Sequence, residues 1–405
     1  MMDEPLYMDQ DKYIEELKAI ILDAASRCRN CNYCSTGCPL SDSTRGFISQ
    51  SPSGLMQSVK YGIRWDMLEN EDKEDLRDLL YLCTTCNSCV LTCKAKATAI
   101  PILEIIQAGR NLLRELMIGP LPDQRKVLKD IYLSGNPYGE QPGSRMNWWG
   151  NLLVKKLPQD RADVLLFVGC TTCYDSKLFS LGRKMVQLLR VLNVDFGILS
   201  EETCCGHPAR IIGDEALFQE EAAQNIDKFL KSGVKTIVTI SPHCFNTFIK
   251  EYSSLNQNFK VQHCTQFLAD LLQDQGYKFK SQSPVAKTVT YHDPCYLGKH
   301  NQIYEEPRQL LGAVEGLKLV EMSQNQENSL CCGGGGGRMY AEVEDNPRLA
   351  ETRIRQAVEV GADIIATACP WCHTMLRNAV EDLNLEDKIE VKDIAEILFE
   401  ATGIQ

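Results

Sequence analysis

Two runs of closely spaced cysteines lie near the start of the sequence. Both have the spacing C-x2-C-x2-C-x3-C, and their eight members are Cys28, Cys31, Cys34, Cys38, Cys83, Cys86, Cys89 and Cys93. Iron-sulfur clusters are held by four cysteine thiolates, and this doubled spacing is typical of two-cluster ferredoxins. A pair of zinc sites is the alternative, but zinc usually combines two C-x2-C elements across a longer gap. The runs therefore favour two cubane 4Fe-4S clusters.

The ferredoxin pattern also predicts which cysteines share a cluster. In that pattern the fourth cysteine of each run ligates the cluster of the other run. We therefore expect one cluster on Cys28, Cys31, Cys34 and Cys93, and the other on Cys83, Cys86, Cys89 and Cys38. Lys94 stands where a proline would usually follow the second run, so that turn can differ locally. Two neighbouring cubane clusters conduct single electrons and are not themselves a catalytic site.

A different cysteine group lies in the last third of the chain. Its members, called here the complete set, are Cys295, Cys331, Cys332, Cys369 and Cys372. Five thiolates are one more than a cubane cluster needs. Residues 333–337 are all glycine, which permits positive φ and close backbone approach, so their amides could face cluster sulfides. A phosphate loop is disfavoured because no Gly-Lys-Ser/Thr follows; a plain flexible loop is the remaining alternative.

An earlier segment repeats this pattern with one position changed. Cys170, Cys204, Cys205 and Cys244, called here the incomplete set, precede their counterparts by 125 to 128 residues. Ser241 stands where the complete set has Cys369. The near-constant offsets predict an internal duplication. The four thiols could hold a further cluster or metal, or could belong to a half that is only structural.

The remaining candidate groups are histidines and two isolated cysteines. His207, His243, His292 and His373 each lie within three residues of a motif cysteine, so each could supply protons to a reduced substrate. A local packing or hydrogen-bonding role is the alternative for each of them. Cys173 lies near the incomplete set, and Cys264 falls outside the pattern and is expected to be a buried thiol.

Strands and helices must bring these distant cysteines together. Short apolar strands precede the cysteines in both copies, and helical spacing follows them over 178–192, 215–230 and 347–360. This alternation predicts a parallel α/β sheet in each copy. In open α/β sheets ligands bind beyond the carboxyl ends of the strands. Cysteines that are far apart in sequence can therefore converge on one site.

The predicted fold is mixed α/β and α-helical. We expect a helical two-cluster ferredoxin-like domain over 1–120, a linker over 121–160, and two duplicated α/β domains over 161–286 and 287–405. The linker is predicted to be irregular because prolines and glycines are frequent from Pro120 to Pro158. Trp148 and Trp149 are expected to pack that linker against a neighbouring domain.

Composition narrows the functional classes. The chain has 405 residues, 43 Lys+Arg against 54 Asp+Glu, and a net charge of -11, which argues against nucleic acid as a partner. The N-terminus does not resemble a secretory signal, and apolar runs stay below the roughly 18 residues that span a bilayer. With 19 cysteines, an odd number, we expect a reducing, cytoplasmic setting and metal or redox chemistry.

The order and spacing of these cysteine groups resemble the heterodisulfide reductase family, specifically its D-subunit type, which is equivalent to fused C and B subunits. The resemblance runs from Cys28 to the end of the chain. DsrK-type subunits of sulfate reducers and electron-input subunits of benzoyl-CoA reductase complexes are similar. So are the iron-sulfur subunits of glycolate, lactate and glycerol-3-phosphate dehydrogenases. Ser241 makes the chain look more like these relatives than like the methanogen enzyme.

The resemblance implies a mechanism. Each complete Cys-Cys-Gly motif of the family holds a noncubane 4Fe-4S cluster, so the complete set would hold one such cluster, and Ser241 puts a second in doubt. Electrons would arrive singly through the cubane clusters, and a disulfide bound at the noncubane cluster would be cleaved with proton uptake, or formed in reverse. The alternative is an electron-transfer protein of a larger complex, without its own small-molecule substrate. A zinc-binding scaffold is a third possibility.

The expected partner proteins follow from the lack of a dinucleotide-binding motif in the sequence. We find no G-x-G-x-x-G fingerprint after a predicted strand, so we expect no flavin on this chain. A flavoprotein or cytochrome b subunit would then exchange electrons with it, and a disulfide or thiol would be its substrate. Any peripheral attachment to a membrane would need such a partner.

Overall fold

The computed structural model of the chain describes residues 9–43, 46–66, 68, 73–95, 100–252, 259–276, 278–279, 287–341 and 348–404. The chain divides into two units. The first comprises Met1–Lys126, Ala209–Glu215 and Gly335–Pro347, and the second comprises Val127–Pro208, Ala216–Gly334 and Arg348–Gln405.

The N-terminal part of the first unit is helical. Its helices are α1 (Gln10–Ser26), α2 (Pro39–Ser43), α3 (Pro52–Arg64), α4 (Lys73–Leu82), α5 (Ser88–Thr92) and α6 (Ile102–Glu115). The Asp9 carboxylate caps α1, and Ser51 caps α3, which begins with a proline, a residue favoured in the first turn. Helices α1 and α3 pack on α6. The first cysteine run lies between α1 and α2, and the second begins after α4 and ends directly after α5, which contains Cys89.

The second unit contains two parallel sheets. The strands of the first are β1 (Lys155–Leu157), β2 (Val164–Phe167), β3 (Phe196–Leu199), β4 (Thr236–Thr239) and β5 (Lys260–His263), in the order β1-β3-β2-β4-β5. Those of the second are β6 (Lys287–Tyr291), β7 (Leu317–Leu319), β8 (Ile364–Thr367) and β9 (Glu390–Asp393), in the order β7-β6-β8-β9. Without β1, the two sheets have the same strand order.

Helices precede and follow these strands. They are α7 (Pro122–Ser134), α8 (Cys170–Tyr174), α9 (Phe179–Val191), α10 (His207–Ile212), α11 (Glu215–Ser232), α12 (Pro242–Asn246), α13 (Cys264–Gln275), α14 (Gly298–Asn301), α15 (Glu305–Gly312), α16 (Leu349–Glu359), α17 (Pro370–Asp382) and α18 (Ile394–Glu400). Strands β2 and β8 are buried along their whole length, as expected for parallel sheets covered on both faces. The mixed α/β and helical fold class predicted from the sequence is confirmed. Pro347, the predicted start of one helix, lies outside the described residues.

The two halves of the second unit share one core. Helix α9 packs on α18, and α13 packs on α15. Helices α9 and α15 follow the equivalent strands β2 and β6, and α13 and α18 follow the equivalent strands β5 and β9. The two contacts therefore join equivalent pairs of helices in opposite order. This is the arrangement expected when a local twofold axis relates the halves.

The segment predicted to be an irregular linker is partly helical. Helix α7 forms there because Val127, Leu128 and Ile131 fall on one face and are buried, which offsets the high proline and glycine content around it. Short 3-10 turns follow over Pro142–Trp149. Trp148 is buried against Gly182, where a Cβ would lie 2.6 Å from its ring. Among the helices of the described residues, none combines the length and apolar character required to cross a bilayer.

Candidate iron-sulfur sites

The two ferredoxin-type runs have the same backbone turn. Asn30 and Asn32 in the first run, and Thr85 and Asn87 in the second, all have positive φ between 53° and 69°. The backbone amides of Asn30 and Thr85 lie 3.5 and 3.4 Å from the sulfur of the first cysteine of their run. Amides that face the sulfur favour its thiolate form. The two runs therefore share a turn in which a backbone amide faces the first cysteine sulfur.

The fourth cysteine of each run lies near the other run. Burial raises the pKa of Cys34, and negative charge on Cys28 and Cys93 raises it further. Burial, together with negative charge on Cys86 and Cys83, likewise raises the pKa of Cys38 to about 12. The structure thus places Cys93 near the first run and Cys38 near the second. Cys31 is the exposed member of the eight.

A buried arginine organises the backbone at the second run. Arg110 on α6 is fully buried. Its guanidinium donates to the carbonyls of Leu80, Cys83 and Ile211 at 2.8 Å and to that of Gly336 at 3.1 Å. Charge-assisted bonds of this kind are stronger than neutral ones. This role could not be found from the sequence, because the four acceptors come from three distant segments.

The glycine run approaches the same backbone. A Cβ on Gly335 would lie 2.2 Å from the carbonyl oxygen of Thr84, and one on Gly336 would lie 2.0 Å from that of Cys83. Both distances are shorter than any side chain tolerates, so glycine is required here. The predicted close approach is present, but these two residues approach a ferredoxin-type run. Residues 333–337 are buried, which argues against the alternative of a plain flexible loop.

The second unit brings members of the complete set together. Cys372 Sγ lies 3.4 Å from Cys332 Sγ, and the amide of Cys372 lies 3.5 Å from Cys369 Sγ. Hydrogen bonds from the Cys331 and Cys372 thiols hold the pKa of Cys332 well below its ordinary value. Cys295 follows β6, the strand beside β8 that leads to Cys369. The exposed fraction of every member is 7% or less.

The Cys-Cys-Gly turn explains how adjacent cysteines can both face one site. Gly333 has φ +91°, and its amide donates to Cys331 Sγ at 3.3 Å. In the incomplete set Gly206 has φ +78°, and its amide donates to Cys204 Sγ at 3.4 Å. Positive φ at these positions favours glycine over any other residue. Both halves therefore keep the same turn.

A histidine joins the complete set. A ring nitrogen of His292 and the sulfurs of Cys332 and Cys372 all lie within 4.8 Å of one another. Burial, together with the positive charge of Arg353, lowers the pKa of His292 to about 3. The ring is therefore a neutral imidazole at neutral pH.

The incomplete set is also connected through its thiols. Cys204 interacts with Cys170 and Cys205, and Cys205 interacts with Cys244, with the result that the pKa of Cys204 is lowered. Ser241 is buried at the fifth position. A serine hydroxyl stays protonated where a cysteine would be a thiolate, so it is a poor substitute as a metal ligand.

A buried ion pair sits beside the incomplete set. Arg145 donates to Cys170 Sγ at 3.4 Å and pairs with Glu202, and both charged side chains are only 5% exposed. The Glu202 carboxylate also accepts from the amides of Val168 and Gly169 at 3.0 and 2.9 Å. Neither charged residue was predicted from the sequence, because each lies far along the chain from Cys170.

Four rings fill the space between the halves. This ring cluster consists of His207, His243, Tyr296 and Trp371, and all four are buried. The His243 ring centroid lies 4.1 Å from that of Trp371 and 4.3 Å from that of Tyr296. Burial lowers the pKa of His207 to about 3 and that of His243 well below its ordinary value. These two predicted proton donors are therefore neutral rings. The ring of His373 lies 3.6 Å from the Glu396 carboxylate.

The cysteine groups and their order define a class: iron-sulfur proteins that combine a ferredoxin-type part with duplicated cysteine-rich domains. Residues 24–97 match the family model of the 4Fe-4S dicluster domain, and residues 164–249 and 289–377 match that of the cysteine-rich domain CCG. The chain is 31% identical over 408 residues to the D subunit of the dihydromethanophenazine:CoB–CoM heterodisulfide reductase of Methanosarcina barkeri. That match covers 96% of this chain and 97% of the relative. The chain belongs to the heterodisulfide reductase family and is of its D-subunit type.

Two other relatives are longer. The chain is 35% identical over 329 residues to the probable iron-sulfur-binding oxidoreductase FadF of Bacillus subtilis, a match that covers 79% of this chain and 46% of the relative. It is 33% identical over 339 residues to the EtfAB:quinone oxidoreductase of Syntrophomonas wolfei, a match that covers 80% of this chain and 46% of the relative. The chain thus spans about half the length of these two relatives.

Proposed function

We propose that this chain is the iron-sulfur component of an oxidoreductase complex that reduces or forms a disulfide-type bond. The observation that carries the proposal is the buried contact between Cys332 and Cys372, with Cys331 and Cys369 beside them. Linked thiols with one member already favouring the thiolate are a donor set suited to iron. When bound there, a noncubane 4Fe-4S cluster supplies the single-electron chemistry that breaks a disulfide, which takes up two electrons and two protons to give two thiols.

Each group of cysteines has its own role in this proposal. The eight ferredoxin-type cysteines hold two cubane clusters, in which Cys93 ligates the cluster of the first run and Cys38 that of the second. The complete set holds the third cluster. The incomplete set holds no five-thiolate cluster, because Ser241 offers no thiolate and Cys170 already accepts a hydrogen bond from Arg145. We expect the flavin or haem of the complex on a partner protein, and any membrane attachment through that partner.

Equivalent cysteines in the two halves provide a matched test. We would assay thiol release from CoB–CoM heterodisulfide and from glutathione disulfide, with a reduced viologen dye as electron donor. Cys332→Ser should abolish the turnover while both cubane signals remain, and Cys205→Ser should leave it intact. Unchanged turnover in Cys332→Ser would contradict the proposal.

A second candidate is an electron-transfer role without a small-molecule substrate. Two observations favour it: every member of the complete set is buried, and the ring cluster fills the space between the halves. The names of the longer relatives, an iron-sulfur-binding oxidoreductase and an EtfAB:quinone oxidoreductase, agree with such a role. The same assay separates the candidates. If disulfides never reoxidise the dye-reduced clusters but a co-purified partner protein reoxidises them, the second candidate holds.

A further inference from the structure

A ring nitrogen of His292, beside the complete set, has no hydrogen-bond partner among the described residues. His292 follows β6 and is 1% exposed. A ring nitrogen of this residue lies within 4.8 Å of the sulfurs of Cys332 and Cys372. Within the described part of the chain, its Nε2 atom has no hydrogen-bond partner. A buried polar atom without a partner is costly, so its position beside metal ligands calls for an explanation.

Arg353 fixes which nitrogen of the ring carries the proton. The Arg353 Nε donates to His292 Nδ1 at 3.2 Å. The guanidinium is itself held, because its Nη1 donates to the Gln324 carbonyl at 2.6 Å and to Gln356 Oε1 at 2.7 Å. A guanidinium only donates, so Nδ1 must accept and carries no proton. The proton of the neutral ring is therefore on Nε2, the nitrogen that Arg353 leaves available to the two sulfurs.

We propose that His292 donates a hydrogen bond from Nε2 to the sulfur atoms of the cluster held by Cys332 and Cys372, and that Arg353 is the positioning residue for this donor. The proposal rests on the proposed function, because it requires a cluster at the complete set. His292 is not a metal ligand, since a protonated Nε2 has no lone pair to give. Hydrogen bonds to cluster sulfurs stabilise the reduced cluster and raise its reduction potential.

The incomplete half differs at the same place. Phe167 precedes Cys170 by three residues, as His292 precedes Cys295, and the two residues stand at the ends of the equivalent strands β2 and β6. Phenylalanine fills similar space but has no donor. The hydrogen-bond donor therefore accompanies only the half with five cysteines. The buried Phe167 also shows that an apolar ring is accommodated at this position of the fold.

The test measures the reduction potential of the noncubane cluster in the holoprotein by EPR-monitored redox titration. His292→Phe should lower the potential with the iron content unchanged. His292→Gln, whose amide can donate from near the Nε2 position, should recover most of the wild-type potential, and Arg353→Lys should shift it part of the way. His292→Gln is the matched control for His292→Phe, because both substitutions remove the imidazole and only the glutamine keeps a hydrogen-bond donor.

The other possible results contradict either the hydrogen bond or the proposed function itself. An unchanged potential in His292→Phe would overturn the proposal. So would a strong nitrogen coupling in pulsed EPR of wild-type protein carrying 15N-histidine, because that is the signature of a ligand; the weak coupling of a hydrogen-bonded nitrogen is expected. If wild-type protein instead shows only cubane clusters and Cys332→Ser loses no iron, the proposed function itself fails. That result is distinguishable from failure of the hydrogen bond alone.

Discussion

The rings of His243 and Trp371 lie with their centroids 4.1 Å apart and their planes at 37°. These two residues occupy equivalent positions, since His243 immediately precedes Cys244 and Trp371 immediately precedes Cys372. The motif segments of the two halves therefore meet in direct contact. This contact couples the incomplete half structurally to the half that holds the complete set.

The contact can be tested through the hydrogen bond that supports it. The Trp371 indole donates to Thr171 Oγ1 at 2.7 Å. We expect Trp371→Phe and Thr171→Val each to lower the free energy of unfolding by at least about 1 kcal/mol, the usual value for one buried hydrogen bond. The double variant should lose less than the sum, because both changes remove the same bond. Thermal unfolding of the four holoproteins under one condition checks this, and strict additivity would contradict it.

Iron content distinguishes the two cysteine sets. The three clusters that we propose correspond to about 12 iron atoms and about 12 acid-labile sulfides per chain. Cys332→Ser should lower the iron content by about 4 atoms, one cluster. Cys205→Ser, at the equivalent position of the incomplete set, should leave it unchanged. An equal loss from Cys205→Ser would show that the incomplete set holds a cluster as well.

The close approach of Gly336 predicts a severe effect from one methyl group. Gly336→Ala would place a Cβ 2.0 Å from the Cys83 carbonyl oxygen at a φ of +65°. The unfavourable φ alone costs about 1 kcal/mol or more, and the clash displaces the backbone of Cys83, which we propose to be a cluster ligand. We expect a lower thermal midpoint and loss of one cubane EPR signal.

Gly312→Ala is the control for that experiment. A Cβ at Gly312 would meet no atom of the described residues within 4 Å, and the residue ends helix α15. Both cubane signals should remain, and the thermal midpoint should not fall. Retention of both signals in Gly336→Ala would contradict the close contact.

Glu221 makes stability depend on pH. It is buried beside a cavity of about 260 Å³, and its Oε2 has no hydrogen-bond partner among the described residues. Burial raises its pKa from 4.5 to about 8, with the charge of Cys204 as the next cause. From pH 4.5 towards 8 the folded chain keeps a proton that the unfolded chain releases. Stability therefore falls as the pH rises, by up to about 1.4 kcal/mol per unit.

Glu221→Gln should remove this part of the pH dependence. The amide stays neutral, so the fall in thermal midpoint between about pH 5 and about pH 8 should become shallower than in the wild-type protein. Glu220→Gln, on the neighbouring exposed side chain, is the matched control and should keep the wild-type slope. Identical slopes in all three proteins would contradict the raised pKa.

The sequence predicted the dicluster and cysteine-rich domains, because closely spaced cysteines form a pattern that is recognisable without the fold. The assignment of individual cysteines to clusters stays a prediction. It also predicted the parallel strands that precede Cys170 and Cys295, of which β2 is buried throughout and β6 over its last three residues. It could not identify Arg110, Arg145 or Arg353, because their partners are backbone or side-chain atoms far away along the chain. Proline and glycine content led to the linker prediction, whereas burial of one apolar face produced helix α7.

The most direct test of disulfide chemistry at the complete set is EPR spectroscopy of the oxidised holoprotein with and without an added thiol. We predict a paramagnetic signal that develops only with the thiol, disappears in Cys332→Ser and persists in Cys205→Ser. The absence of a thiol-dependent signal from wild-type protein that contains all three clusters would contradict a catalytic role for this set.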